Sequence, residues 1–188
     1  MRTFSIYMTG VGGQGIGLIS EIVLRAADHA GFKVKSVDTH GLAQRGGIVV
    51  SQLRIGDRVN TPLIPEGEAD LVIALERHEA LRGMNSALAD GGSLVYYDTV
   101  WQPLEVRLNE ADEVTTELIA RSCQSRKIAH IVVATPLDDV RMQNIAVLRE
   151  INARNLIPGI GTAHYRQAMT DLMSGSMLNA NLALFDQT

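Results

Sequence analysis

The chain has 188 residues, of which 46% are hydrophobic, 20% charged and 4% aromatic, and its 17 basic and 21 acidic residues leave a formal net charge of −4. That apolar fraction with so modest a charge excludes disorder as the main state, and the lack of a basic excess argues against a nucleic-acid or anionic-membrane surface. One cysteine, Cys123, excludes an internal disulfide and an iron–sulfur cluster, which takes about four thiolates.

The opening pattern is strand, glycine turn, helix. Thr3 to Thr9 is rich in β-formers, Gly10 to Gly17 is glycine-rich, and Ile16, Ile19, Val23, Ala26 and Ala30 recur at helical steps up to a C-terminal Gly31. Lys33 to Asp38 predicts a second strand, and this strand–helix–strand spacing predicts a βαβ unit with parallel pairing. A loop from Thr39 to Gly47 precedes a strand at Ile48 to Ile55. Asp70 to Leu75 predicts a short buried strand, Glu76 to Leu88 a helix, and Ser93 to Tyr97 another strand. Trp101 to Leu108 reads as irregular or edge structure, because Pro103 cannot donate to a ladder. Asp112 to Lys127 predicts a helix and His130 to Ala134 a last core strand.

Thr135-Pro136-Leu137-Asp138 reads as a helix start, with Thr as cap and Pro at the first turn. Leu137, Val140, Val147, Leu148 and Ile151 predict its apolar face, on which Asn144 also falls; a buried Asn there should bond a loop backbone. Leu156 to Gly161 breaks the helix, Thr162 predicts the cap of a terminal helical region, and Gly175 interrupts that region. The alternation predicts a three-layer α/β/α Rossmann-like domain with a mostly parallel sheet over residues 1–155, and a C-terminal helical appendage packed on it over 156–188.

Gly10-x-Gly12-x-x-Gly15 after a strand and before a helix would aim backbone N–H groups at an anion, and Asp38, 23 residues after Gly15, stands where a dinucleotide fold holds a ribose hydroxyl. A free-standing NAD-binding protein is therefore one reading, although no Tyr-x-x-x-Lys pair and no Gly-Lys-Ser/Thr occurs. The segment His40-Gly41-Leu42-Ala43-Gln44-Arg45-Gly46-Gly47 is more unusual: Gly46-Gly47 permits a tight backbone turn, and Arg45 offers a permanent cation suited to phosphate or carboxylate. The histidines, His29, His40, His78, His130 and His164, show no HxxxH or HExxH spacing. Glu76 and Glu79 share a helical face and read as a solvated one beside Arg77 and Arg82, His40 as a loop hydrogen-bonding group, and Cys123 as inert. Met169, Leu172, Met173 and Met177 read as core. With no apolar run near the ~20 residues of a membrane span and no signal-like N-terminus, the chain reads as soluble and cytoplasmic.

Three stretches together resemble a known family: GVGGQGIGLISEIVLRAA (Gly10 to Ala27), HGLAQRGGIVVSQLRIG (His40 to Gly56) and LIPEGEADLVIALERHEALR (Leu63 to Arg82). They are similar to the gamma-type subunit of 2-oxoacid:ferredoxin oxidoreductases, with the indolepyruvate type the nearest likeness. Asn144 to Leu148 resembles that family's N-M-V-x-L-G helix, with Arg149 in place of its glycine. The resemblance implies a complex that oxidatively decarboxylates a 2-oxoacid on thiamine diphosphate, passes electrons through iron–sulfur clusters to ferredoxin and transfers the acyl group to coenzyme A. This chain lacks a Gly-Asp-Gly…Asn-Asn thiamine motif, since Arg58 follows Gly56-Asp57. The resemblance thus implies that thiamine diphosphate and clusters sit on partner subunits of a hetero-oligomer, ferredoxin being met only indirectly. It further implies that coenzyme A meets this chain, if at all, at Gly12, Gly13, Gln14, Gly15, Gln44, Arg45, Gly46, Gly47 and Asn144. No residue of the chain is expected to be catalytic or to bind a metal. An assembly subunit with no ligand of its own is a third reading.

Overall fold

The computed structural model describes residues 2–40, 47–101, 106 and 112–187, without the side chain of His40. Its six strands are β1 (Phe4–Val11), β2 (Lys33–His40), β3 (Ile48–Gly56), β4 (Ala69–Ala74), β5 (Leu88–Tyr97) and β6 (Ala129–Val133). The described helices are α1 (Ile16–His29), α2 (Arg77–Ser86), α3 (Thr116–Ser125), α4 (Gln143–Ala153), α5 (Thr162–Leu172) and α6 (Gly175–Phe185). One sheet runs β2-β3-β1-β4-β5-β6, with β1, β4, β5 and β6 parallel and β3 antiparallel to both its neighbours.

The predicted βαβ pairing is corrected here. β1 and β2 point the same way but do not pair, because β3 lies between them. The side chains account for the order. Leu53 and Ile55 of β3 are fully buried, whereas β2 carries Lys33, Lys35 and Asp38 exposed. The apolar strand takes the interior place and the charged one blunts the edge. β6 is likewise an edge strand rather than a central one.

Period-2 alternation in the strands sends side chains to two cores. Ile6, Met8, Leu53, Ile55, Leu71 and Ile73 face α1, α4, α5 and α6; Val72, Ala74, Leu94 and Tyr96 face α2 and α3. The result is three layers with a mostly parallel sheet in the middle. Helix α1 ends as its sequence predicts: Gly31 is left-handed at φ 79°, Gly31 N–H donates to Asp28 O and Phe32 N–H to Ala27 O, the pattern of a glycine-terminated helix.

Several boundaries differ from the sequence reading. Helix α2 stops at Ser86 and β5 begins at Leu88, so Gly91-Gly92 lies inside a strand, near a register irregularity opposite Ala69 and Leu71. The 112–127 helix shortens to α3, capped by Thr115, whose side chain accepts from Leu118 N–H. No helix starts at Thr135. Its hydroxyl accepts from Arg149 and its carbonyl from the Tyr97 hydroxyl, so it is tied to the end of the sheet. Asp139 instead caps a 3-10 turn, Val140–Met142, that leads into α4. Val140 consequently lies off the apolar face and is 70% exposed. Thr162 is the first residue of α5 rather than its cap; the cap is Gly161, and Thr162 bonds Asn152. Gly175 does open a new helix, α6. Of the four residues read as core at the C-terminal end, Met169 and Met173 are buried, Leu172 is half-buried, and Met177 is exposed.

Candidate functional site

Helix α1, which follows β1, packs on one face of the sheet, and α2, which follows β4, packs on the other. Since β1 and β4 are neighbours, their exits diverge at the carboxyl edge of the sheet and leave the crevice at which open α/β sheets bind ligands. The first glycine turn lies on one side of that crevice and the Leu75-Glu76 exit on the other, stitched by Leu75 N–H donating to Thr9 O.

The turn is held by its own side chain. Gln14 is buried; its Oε1 accepts from Val11 N–H at 2.8 Å, and its N–H donates to Val11 O at 3.0 Å. Gln14 thus shapes the turn from within. Gly13 and Gly15 are left-handed at φ 101° and 92°, a region costly for other residues. Gly15 has a second constraint. A Cβ there would lie 2.5 Å from Nδ2 of Asn144, which donates to Gly15 O at 3.3 Å. Asn144 Oδ1 accepts Ile145 N–H at 2.9 Å, so this Asn, 2% exposed on α4, bonds loop backbone as its place on an apolar stripe demands. Gly13 and Gly17 are exposed, with nothing near the place of a Cβ, and the first-turn N–H groups of a helix lack intrahelical acceptors.

Gly12 N–H donates to Gly47 O at 2.8 Å, so the two glycine segments meet. Of the residues singled out in sequence, the structure brings Gly12, Gly13, Gln14, Gly15, Gly47 and Asn144 together. Gln44, Arg45 and Gly46 lie outside the described residues, as does the His40 side chain. Asp38 is placed elsewhere. With β3 interposed, it lies two strands from β1, and its Oδ1 accepts from Ser51 Oγ at 2.5 Å, which itself pairs with Ser20 Oγ at 2.6 Å.

Glu76 and Glu79 overturn the reading of a solvated face: they are 1% and 3% exposed. Glu76 caps α2, its carboxylate accepting from the N–H groups of His78 at 3.0 Å, Glu79 and Trp101. Glu79 Oε2 accepts from Thr9 Oγ1 at 2.7 Å, and its Oε1 is 3.5 Å from Arg82. Burial raises the pKa of both carboxyls above the usual range, against the lowering effect of those hydrogen bonds. Together they tie the exits of β1 and β4 and the Trp101 segment into one buried hub. The signal in sequence was an acidic residue directly after the buried strand, at the N-terminus of a helix.

Cys123 is buried against Met84 Sδ at 3.4 Å and its thiol pKa is raised by burial. Among the described residues no group of three or more His, Cys, Asp or Glu is placed to hold a metal. No described helix is long and apolar enough to cross a membrane. Beside Asn144, a cleft of about 520 Å3 opens between Leu18 of α1, the 139–142 turn and α6.

Residues 5–188 match the pyruvate ferredoxin/flavodoxin oxidoreductase family. The chain belongs to that family. It is an oxidoreductase subunit by its relatives: indolepyruvate oxidoreductase subunit IorB of Archaeoglobus fulgidus is 35% identical over 184 residues, covering 95% of this chain and 90% of that protein. In fold it is similar to the keto/oxoacid ferredoxin oxidoreductase gamma subunit of Geobacter sulfurreducens, with a TM-score of 0.63 at 19% identity over 97% of this chain and 94% of that one. It is also similar to part of the 2-oxoglutarate:ferredoxin oxidoreductase of Magnetococcus marinus, solved with 2-oxoglutarate, coenzyme A and succinyl-CoA bound. There the TM-score is 0.67 at 18% identity, covering 99% of this chain but 30% of that longer one.

Proposed function

We propose that this chain is the small subunit of an indolepyruvate-type 2-oxoacid:ferredoxin oxidoreductase in the cytoplasm, and that its paired glycine segments receive the phosphates of coenzyme A. Thiamine diphosphate and the iron–sulfur clusters then belong to partner subunits, which alone meet ferredoxin. Residues 1–155 form the gamma-type domain of that complex and 156–188 its helical appendage. The observation that carries the coenzyme A reading is the Gly12–Gly47 bond at the carboxyl edge of the sheet. It brings an exposed, Cβ-free backbone turn and the start of α1 to Gly47, two residues along the chain from Arg45. Backbone N–H groups at a helix start favour an anion, and a guanidinium suits a phosphate. Coenzyme A carries a diphosphate and a 3′-phosphate.

Arg45→Ala in the reconstituted complex tests this. A charge-assisted contact contributes about 1.5–3 kcal/mol, or roughly 10- to 150-fold in affinity. The apparent affinity for coenzyme A should fall by that factor while the unfolding midpoint of the chain stays put. Weakened subunit association in its place would assign Arg45 to an interface. Unchanged coenzyme A dependence and unchanged association would refute the role.

A further inference from the structure

The two edges of the sheet are built differently. β2 closes one of them with Lys33, Lys35 and Asp38 exposed, a usual guard against pairing with another chain. β6 closes the other with Ala-His-Ile-Val-Val, which holds no Asp, Glu, Lys, Arg or Pro and pairs with β5 without a register shift. Its outward groups follow from the ladder. Val133 O accepts Asp98 N–H at 2.8 Å on the β5 side, so alternation turns the backbone groups of Ala129, Ile131 and Val133 toward β5. The N–H and C=O groups of His130 and Val132 then point away from it. Among the described residues no strand pairs with that side, and Val132 is 39% exposed. Both ends of β6 are pinned. Ahead of it, Arg126 donates to Met84 O at 2.7 Å and to Asp90 at 2.6 Å; behind it, the Tyr97 hydroxyl donates to Thr135 O at 2.8 Å. A strand held this way loses little freedom when a second backbone pairs with it.

We propose that β6 is a self-pairing edge: two copies of this chain join antiparallel along it and extend the sheet across a two-fold axis. The proposal concerns a surface three strands from β1 and does not depend on the coenzyme A reading. Two features select a second copy. One is reciprocity. With the axis at Ile131, His130 of each copy stands opposite Val132 of the other. The outward N–H and C=O groups of these residues, two of each per copy, then meet as four backbone bonds with none left over. The other feature is charge. Lys127 lies exposed just before the strand and Asp138 exposed just after it, and neither side chain has a partner among the described residues. Antiparallel self-pairing brings the basic end of each strand to the acidic end of the other, whereas a parallel arrangement would join like ends. Within the ladder, His130 beside Val132 and Ile131 beside Ile131 set no like charges opposite one another.

The test uses the full chain. Sedimentation equilibrium over a range of concentrations should show the mass rising from 20.4 kDa toward twice that value, with a dissociation constant in the micromolar range. Val132→Pro removes an outward N–H and leaves the ladder to β5 intact, since an edge strand tolerates proline where that group faces away from the sheet. It should weaken the dimer at least about tenfold. Lys127→Asp and Asp138→Lys each put like charges at both ends of the contact and should weaken it about fivefold or more. The double variant exchanges the two charges and should pair as the wild type does. Both charge variants lie on exposed residues, so their unfolding midpoints should match the wild type and keep the test readable if Val132→Pro is less stable. A wild-type chain that stays monomeric overturns the proposal, as does a dimer that Val132→Pro and the charge reversals leave unchanged. A double variant no stronger than the singles overturns it too. If the chain is monomeric alone and Val132→Pro instead weakens its complex with the cognate large subunit, the edge takes a foreign strand and the second copy is wrong.

Discussion

Gly15 and Asn144, 129 residues apart, are one device. The left-handed φ of Gly15 aims its carbonyl at the amide of α4, and the missing Cβ leaves room for that amide. Gly15→Ala therefore meets two penalties, backbone strain on the order of 1–3 kcal/mol and a steric clash at 2.5 Å. Asn144→Ala removes the clash but leaves Ile145 N–H without its side-chain acceptor, at about 1–3 kcal/mol, while Gly15 O keeps the Ile19 N–H. The double variant should be more stable than the sum of the two singles predicts. Chemical denaturation of the four proteins measures that coupling, and strict additivity would mean the two residues act independently. Asn144 was legible in the sequence because a polar residue on an apolar stripe must find a partner. Gln14 was legible only as part of the site; that it serves the turn from inside depends on a side-chain direction that spacing alone does not give.

At the scale of the element, α2 is the piece whose environment the sequence hid. The Glu76/Glu79 pair has the spacing of an exposed helix face, and only the exits of β1 and β4 closing over it make it buried. Gly83 shows how near α2 sits: a Cβ there would lie 3.1 Å from Val72 and 3.2 Å from Thr9. Tyr7, Arg82, His78 and Glu76 surround Glu79, and burial outweighs Arg82 and the Thr9 hydroxyl in setting its pKa above 4.5. The folded state therefore holds this proton more tightly than the unfolded chain. The stability it contributes is complete below pH 4.5 and is lost as pH rises through the folded pKa. Glu79→Gln keeps an oxygen for Thr9 and cannot ionise. The variant should gain stability relative to wild type as pH rises from below 4.5 toward neutrality, read by denaturant melts across that range; parallel pH curves for the two proteins would contradict it. The strand order was hidden for a related reason. The spacing of β1, α1 and β2 is that of a parallel pair, and nothing local announces that β3 inserts between them. The lysines of β2 carry that information only once the competition for the interior place is considered.

For the whole molecule, the layers were readable because glycine turns, buried strands and helices alternate along the chain, and the family because the stretches Gly10 to Ala27, His40 to Gly56 and Leu63 to Arg82 resemble its members. The same glycine pattern also suggested a nicotinamide dinucleotide, and the arrangement of the strands argues against it. A dinucleotide fold needs the acidic residue at the end of the strand adjacent to β1, across from the pyrophosphate turn. Here that adjacent place belongs to β3, running the opposite way, and Asp38 sits on the edge strand beyond it with its carboxylate bonded to Ser51. The turn keeps its backbone N–H groups, but Asp38 is not beside it to take a ribose hydroxyl. Binding of NAD should be weaker than about 1 mM, which is roughly 4 kcal/mol, and indifferent to Asp38→Ala. Isothermal titration of the isolated chain with NAD, wild type beside Asp38→Ala, measures both. Micromolar affinity that disappears in the Asp38 variant would show that the ribose is held after all, and would return the chain to the dinucleotide-binding class its glycines first suggest.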